Sequence, residues 1–297
     1  MDRLAELETF LAIVEAGSLA GAARRLRRSP PAVTRILAEL EARVGVTLVE
    51  RTTRASMPTD AGRQLATHAR SLLAGYRDAI GEVAGRAAEA RGPVRLTAPL
   101  VFGRDHVAPT VATFLARHPG VTIDFTLADR IVDLQGEHVD LAVRIGTVAD
   151  PALVVRRVGQ VANVVVASPA YLRRHGTPAR PQDLGDHLTI QHTSRGLGTP
   201  WAFRGVTVNV TAQYAVNQAD VAIAAARAGQ GLVRALSYQV DGDLRRGRLV
   251  RVLRDFEPAP MPVGVVWPES RRALHRVRLL ADHLAAGLAG LAVLRDV

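Results

Sequence analysis

The 297-residue chain contains no cysteine, and only 4% of its residues are aromatic. Without cysteine, disulfides, thiolate metal sites and cysteine nucleophiles are all excluded. Lysine is missing too, so all 38 basic residues are arginine. So complete a replacement marks compositional bias, and any single arginine says less about function than usual. No apolar run is long: "LAAGLAGLAVL" (284–294) falls short of the roughly 20 residues a bilayer requires. The opening "MDRLAELETF" lacks the basic-then-apolar order of a secretory signal. A soluble cytoplasmic protein with no membrane partner is expected. Catalytic signatures are also lacking. There is no G-x-S-x-G elbow and no phosphate loop, and "AGQGL" (228–232) fits a helix end running into a strand better than a dinucleotide fingerprint. The histidine pairs His187/His192 and His275/His283 lack metal-ligand spacing. The expectation is a non-enzyme with no catalytic residues, metal site or cofactor.

What is present is positive charge. The formal net charge is +10, which suits a polyanionic partner, most simply nucleic acid. The excess is not concentrated in the N-terminal third overall, but one local cluster stands out there. Residues 24–54 hold eight arginines (24, 25, 27, 28, 35, 43, 51 and 54) against Glu39, Glu41 and Glu50.

Apolar spacing gives that region a shape. Leu4, Leu7, Leu11 and Val14 mark an amphipathic helix ending at Gly17. Ser18 is a natural N-cap for a second helix carrying Leu19, Ala22, Ala23 and Leu26. Ser29 can cap a third, with Pro30 at the first helical position, where its missing N–H costs nothing. Two short helices, a tight turn and a third helix outline a helix-turn-helix. At about 100° per residue, Val33, Leu37, Leu40 and Val44 form the buried stripe of the third helix. Pro31, Arg35, Ala38 and Ala42 face the other way with Thr34 at the flank, and Ile36 lies between the two faces. A face of small residues with one arginine can enter a major groove and reach guanine in bidentate fashion. An ordinary solvated helix face is the alternative reading of the same residues.

"LVERTTRASM" (48–57) reads as two short strands around a turn, the wing of a winged helix. Its Arg51, Thr53 and Arg54 are placed for backbone phosphates rather than bases. A helix of about thirty residues follows, capped by Thr59 or Asp60. Leu65, Ala69, Leu72, Tyr76, Ala79/Ile80 and Val83 form its apolar seam. A long helix with one seam usually pairs with another helix, and packing on its own domain is the alternative. Leu65, Leu72, Tyr76, Ile80 and Val83 are the candidate dimerisation residues.

Gly92-Pro93 breaks that helix before a strand. Strands and helices then alternate through two α/β passes. Strands are expected at "VRLTAP", "VTIDFTL", "DLAVRIG", "VANVVVASP", "VTVNVTAQYAV" and "GLVRAL". Helices are expected around 106–118, near 131–137, at 169–175, at 219–228 and from about 270. Residues 161–167 are a candidate crossing from a first lobe to a second, and "MPVGVVWP" (261–268) a candidate crossing back.

"LETFLAIVEAGSLAGAARRL", "SPPAVTRILAELEARVGVTLVERTTR" and "PTDAG" together resemble the LysR-type transcriptional regulators of bacteria. Thr34 stands where the family usually has Ser, Ile36 where it often has a polar residue, and Met-Pro-Thr-Asp-Ala-Gly where it has Leu-Thr-Glu-Ala-Gly. "APLVFGR", "DLAVRIG" and "ASPAYLRRHG" extend the resemblance over essentially the whole chain. It implies a multi-domain fold. An all-α winged helix-turn-helix (1–58) and a long linker and dimerisation helix (59–90) would precede an α/β, two-lobed, periplasmic-binding-protein-like effector domain (91–297). Lobe I would take about 91–163 and 268–297, and lobe II about 164–267. The implied partners are a pseudo-palindromic double-stranded DNA operator, a small-molecule effector, further copies of the chain as dimer or tetramer, and RNA polymerase. Arg27, Arg28, Ser29, Pro30, Pro31, Thr34 and Arg35, with the wing residues, are the candidate DNA contacts.

In open α/β sheets ligands bind beyond the carboxyl ends of the strands. Those ends nominate Thr97, Pro99, Leu100, Ala128, Arg144 and Ser168. Asn217 and Gln218 stand before the 219–228 helix, with Asn217 its candidate cap, and Phe203 of "PWAFRG" completes the candidate effector set. Free N–H groups at helix starts favour an anion, often a carboxylate. An enzyme or a small-molecule-binding protein with a vestigial helix-turn-helix is the rival, and it leaves residues 1–58 unexplained.

Overall fold

The computed structural model describes residues 2–51, 56–83, 90–193, 200–271 and 274–295. Contacts divide the chain into two units, 1–88 with 273–275 and 89–272 with 276–297. Among the described residues no helix is long and apolar enough to cross a membrane.

The first unit contains α1 (Arg3–Ala16), α2 (Leu19–Leu26), α3 (Pro30–Val44), β1 (Val49–Arg51), β2 (Ser56–Pro58) and α4 (Asp60–Val83). Ser18 caps α2 as expected, its hydroxyl accepting the Gly21 N–H at 3.1 Å. Ser29 occupies the N-cap position of α3 but makes no side-chain cap bond. The reason is local. Pro30 and Pro31 carry no N–H, and the next donors, Ala32 and Val33, bond the Ser29 carbonyl instead. Val33, Leu37 and Leu40 are buried as expected, and Ile36 joins them at 2% exposure. Val44 does not, being 46% exposed at the last residue of the helix. The apolar stripe is therefore shifted by part of a turn, and Ile36 belongs to the core.

The strands β1 and β2 pair antiparallel, Val49 opposite Pro58 and Arg51 opposite Ser56. Their placement is set from outside the hairpin. Glu41 of α3 accepts the Leu48 and Val49 N–H groups on one oxygen, at 2.7 and 3.1 Å. The Thr59 N–H donates to Leu48 O at 3.0 Å, and the Thr59 hydroxyl caps α4 by accepting from the Gly62 N–H, also at 3.0 Å. Thr59 is therefore the cap of the long helix. Ala66, Ala69 and Leu73 of α4 fill the core beneath, with Leu65 half-buried against it.

The second unit opens with β3 (Gly92–Ala98), α5 (Leu100–Phe102), a π turn (Gly103–Val107), α6 (Ala108–Arg117), β4 (Val121–Leu127), β5 (Leu141–Ile145) and β6 (Leu153–Val161). It continues through β7 (Asn163–Ala167), α7 (Pro169–His175), β8 (Thr189–His192), β9 (Trp201–Phe203), β10 (Val206–Val208), β11 (Ala212–Val216), α8 (Ala219–Arg227) and β12 (Leu232–Leu236). Then come α9 (Ser237–Arg245), β13 (Val250–Val252), β14 (Met261–Pro268) and α10 (His275–Ala289). The strands make two five-stranded sheets, ordered β4-β3-β5-β14-β6 and β11-β8-β12-β7-β13. The chain passes from the first to the second at Ala162, between β6 and β7.

Four expectations change. Residues 261–268 are not a connection or part of the second lobe: β14 pairs antiparallel with both β5 and β6, so its apolar run is that of a central strand of the first sheet. The expected helix near 131–137 is a series of turns. Asp133 and Glu137 there bond nearby backbone N–H groups, and His138 takes a left-handed φ of 55°. The helix expected from 106 begins at Leu100, because the Asp129 carboxylate accepts the Leu100 N–H at 3.0 Å from 29 residues away. The expected strand over 206–216 is two strands, β10 paired with β9 in a separate hairpin.

Gly62 tests the joint between wing and long helix. A Cβ at this position would lie 2.0 Å from Leu48 O, a backbone atom. Gly62→Ala should destabilise the first unit by about 1–3 kcal/mol or more, read as a lowered midpoint in urea denaturation; an unchanged midpoint would refute the packing.

Candidate nucleic-acid interface and effector pocket

The outer edge of the helix-turn-helix is built by two backbone devices. Arg27 closes α2 at a left-handed φ of 52°, its N–H reaching Ala23 O and Arg24 O. The Arg28 N–H then bonds Ala23 O at 3.0 Å, a Schellman closure with arginine where glycine is usual. The closure turns Arg27, Arg28 and Ser29 outward, and all three are exposed. Arg27 and Arg28 hold no ion pair among the described residues. Arg25 is committed to Glu15 at 2.6 Å, so the arginines of this cluster are not equivalent.

On α3, Pro30, Pro31 and Arg35 are exposed and Thr34 is half-buried. The Thr34 hydroxyl donates to Pro30 O at 3.0 Å, which leaves its oxygen lone pairs to accept. Arg35 lies 3.7 Å from Glu39 one turn on, with 69% of its side chain exposed. Such an exposed i,i+4 pair is worth about 0.3–0.5 kcal/mol, a small barrier to exchanging the carboxylate for a base. The Arg51 backbone belongs to β1; its side chain, with Thr53 and Arg54, lies outside the described residues.

The long helix presents two faces. Leu65 packs with Ala66, Ala69 and Leu73 against its own domain, so its expected place in an intermolecular seam is corrected. Leu72, Tyr76 and Ile80 recur one turn apart and are each about half exposed, at 53, 52 and 54%. The Val83 side chain lies outside the described residues.

A cavity of about 140 Å³ opens at the carboxyl ends of β3, β4 and β5. Of the effector candidates, Thr97, Pro99, Ala128 and Arg144 line it; Leu100, Ser168, Phe203, Asn217 and Gln218 do not. Leu100 instead starts α5. Ser168 is buried and caps α7, accepting the Tyr171 N–H at 3.2 Å. Phe203 is buried with Trp201 in the core of the second sheet. Gln218, not Asn217, occupies the N-cap position of α8, without a side-chain cap bond. The Asn217 carbonyl faces His192 Nε2 at 3.2 Å.

Residues absent from the candidate set complete the wall, among them Asp129, Arg130, Ile131 and Val132. Ile131 is 89% exposed at its rim. Burial pulls the Arg144 guanidinium down from its ordinary value, against the opposing pull of Asp133 and Asp150. It remains a cation and donates to Val132 O. "DLAVRIG" thus divides its work. Asp140 accepts the Arg95 N–H at 2.9 Å and so joins β3 to β5 at its start, and Arg144 enters the cavity. Gly146 ends the motif at φ 108°, where L side chains are strained, with its N–H on Pro262 O at 2.8 Å.

Residues 4–63 match the bacterial regulatory helix-turn-helix protein, lysR family, and residues 87–289 the LysR substrate binding domain. The probable HTH-type transcriptional regulator LtrA of Klebsiella pneumoniae is 31% identical over 292 residues, covering 96% of this chain and 94% of that protein. The HTH-type transcriptional regulator PtxR of Pseudomonas aeruginosa is 31% identical, covering 95% and 91%. The structure of CrgA, a LysR-type transcriptional regulator from Neisseria meningitidis, matches with a TM-score of 0.62 at 27% identity, covering 96% of this chain and 98% of that one.

Arg27 allows stability and binding to be separated. A left-handed non-glycine residue costs roughly 1–2 kcal/mol, part of which glycine returns as greater unfolded-state entropy. Arg27→Gly should raise stability by about 0.5–1 kcal/mol while lowering the salt slope of DNA binding by about 1. Thermal denaturation and a salt titration of DNA affinity check the two halves.

Proposed function

The chain belongs to the LysR family of bacterial transcriptional regulators, and from that premise we propose how its residues divide the work. The family consists of DNA-binding regulators with effector-binding domains, not of enzymes. Two copies pair through the Leu72, Tyr76 and Ile80 line of α4 and present two α3 helices to a pseudo-palindromic operator. Arg27, Arg28 and the wing residues Arg51, Thr53 and Arg54 hold phosphates and supply a salt-dependent baseline affinity. Ser29, Pro30, Pro31, Thr34 and Arg35 form the edge that meets the bases. The observation that carries this reading is the clean partition of α3, with Val33, Ile36, Leu37 and Leu40 buried and Pro31 and Arg35 exposed.

The effector occupies the cavity at the first sheet and carries a carboxylate that turns toward Arg144. Its binding shifts the population of lobe arrangements, and with it the assembly of dimers into tetramers and contact with RNA polymerase. The domain division 1–58, 59–90 and 91–297 follows, with 261–268 moved to the first lobe. The protein acts in the cytoplasm, where its operator DNA is.

Arg35→Ala should weaken operator binding by roughly 1–3 kcal/mol and relax preference at one base position; an unchanged footprint and affinity in a gel-shift titration would remove Arg35 from the reading edge. Ile80→Glu should shift sedimentation toward the smaller species at equal concentration, because it buries a charge in the proposed pairing line. Unchanged sedimentation would move the interface elsewhere.

A further inference from the structure

The cavity at the first sheet is not built for a simple anion. Two backbone donors of its wall and one beside it are committed: the Gly146 N–H bonds Pro262 O at 2.8 Å, the Ala128 N–H bonds Ala98 O at 3.0 Å, and the neighbouring Leu100 N–H bonds Asp129 Oδ1 at 3.0 Å. The helix start that would otherwise attract a carboxylate therefore already holds one, supplied by the protein. Arg130 is neutralised by Glu137, with one contact at 2.6 Å. Two charged groups of the wall lack an ion-pair partner among the described residues, Asp129 and Arg144. The Tyr238 phenol lies near Asp129 but is held protonated, by burial first and then by that carboxylate, so it brings no positive charge.

One further group points to a ligand. Thr97 is only 5% exposed, lines the cavity, and its Oγ1 has no hydrogen-bond partner among the described residues. A buried hydroxyl left unpaired costs about 1–3 kcal/mol, a cost removed when a bound molecule supplies the missing bond. At roughly 10–15 Å³ per water-sized occupant, about 140 Å³ accommodates on the order of ten heavy atoms.

We infer that this cavity, taken as the effector site proposed above, receives an amphoteric ligand of the α-amino-acid type. Its carboxylate turns to Arg144, its protonated amine turns to Asp129, and Thr97 Oγ1 bonds one of the two. A plain carboxylate satisfies Arg144 but faces Asp129 without compensation, and a plain amine has the reverse defect. Only a molecule carrying both charges answers both walls of so small a space.

The test uses the full-length protein and three matched probe sets. These are the twenty common L-amino acids, their deaminated carboxylic acids and their decarboxylated amines, each titrated by thermal shift and confirmed by calorimetry at neutral pH. At least one amino acid should bind ten or more times tighter than both of its counterparts. Asp129→Asn keeps the acceptor that caps Leu100 and removes the charge, so it should shrink the margin over the deaminated acid to less than threefold. Thr97→Val should weaken the same amino acid severalfold without lowering the melting temperature of the unliganded protein. Carboxylic acids binding as tightly as amino acids, or an undiminished margin in Asp129→Asn, overturns the ligand class while the effector reading of the pocket stands. Binding of amines alone also overturns it. If no probe of any set binds, both the ligand class and the pocket assignment fall.

Discussion

The first unit turns on how Leu48 is held. Its N–H reaches the Glu41 carboxylate, its carbonyl accepts from Thr59, and its side chain is 1% exposed in the core. The bare Cα of Gly62 closes against that same carbonyl. Three elements with different duties meet there: α3 through Glu41, the wing through Leu48 and Val49, and α4 through Thr59 and Gly62. A charged acceptor serving two backbone donors is stronger than a neutral one, and the contact is short. The consequence is mechanical. The angle between the reading helix and the wing is not set by the hairpin, and α4 leaves the domain in a direction fixed by the same joint. In a paired regulator the spacing between two reading helices would then depend on a few polar contacts around residue 48.

A comparable economy governs the second unit. Asp129 starts a helix from 29 residues away and contributes the one carboxylate of the cavity wall without a cation among the described residues. Asp140 ties β3 to β5, so that Arg144, four residues on, emerges at the cavity. The buried hydroxyl of Thr97 fits this pattern. Native interiors satisfy nearly all of their polar groups, so an orphan beside two charges that hold no ion pair among the described residues marks a surface shaped for something outside the chain.

Elements that follow from local periodicity or local capping were legible in the sequence: the first three helices, the Ser18 cap and the alternation of strands and helices, with the cap of the long helix narrowed to Thr59 or Asp60. Some expectations failed where the deciding partner is distant, whereas the Ser29 cap and the helix near 131–137 failed for local reasons. The Asp129 bond to Leu100 moved a helix start by six residues, and pairing on both edges turned 261–268 into a central strand. Of the effector candidates, Thr97, Pro99, Ala128 and Arg144 sit at strand ends, where topology alone predicts a crevice. Ser168 and Phe203 carried the right residue types, but local backbone and core packing claimed them. Asp129 stands next to the nominated strand end Ala128, yet nothing in its neighbours signalled that it would cap a distant helix. Leu65 and Leu72 share one periodic seam, and only packing divides it into a core face and an exposed one.

The Pro30-Pro31 pair shows how a local irregularity can serve function. In most helices the N-cap serine oxygen accepts a hydrogen bond from the second or third helical N–H. Here the prolines delete the first two donors, and the third and fourth turn to the Ser29 carbonyl. The hydroxyl of Ser29 is therefore exposed at the helix start with no cap to serve. Thr34, one turn later, does the opposite and ties its hydroxyl proton to Pro30 O. In the proposed reading, this edge offers a donor at Ser29 that serves no cap, an acceptor at Thr34 and a cation at Arg35, on backbone whose φ is fixed by two pyrrolidine rings. A phosphate needs the donor and the cation, and a base edge needs the acceptor and the cation. Rigid spacing between those groups would let one short segment meet backbone and base without ordering the chain first, which would give stiffness a use where a flexible cap suffices for the helix alone.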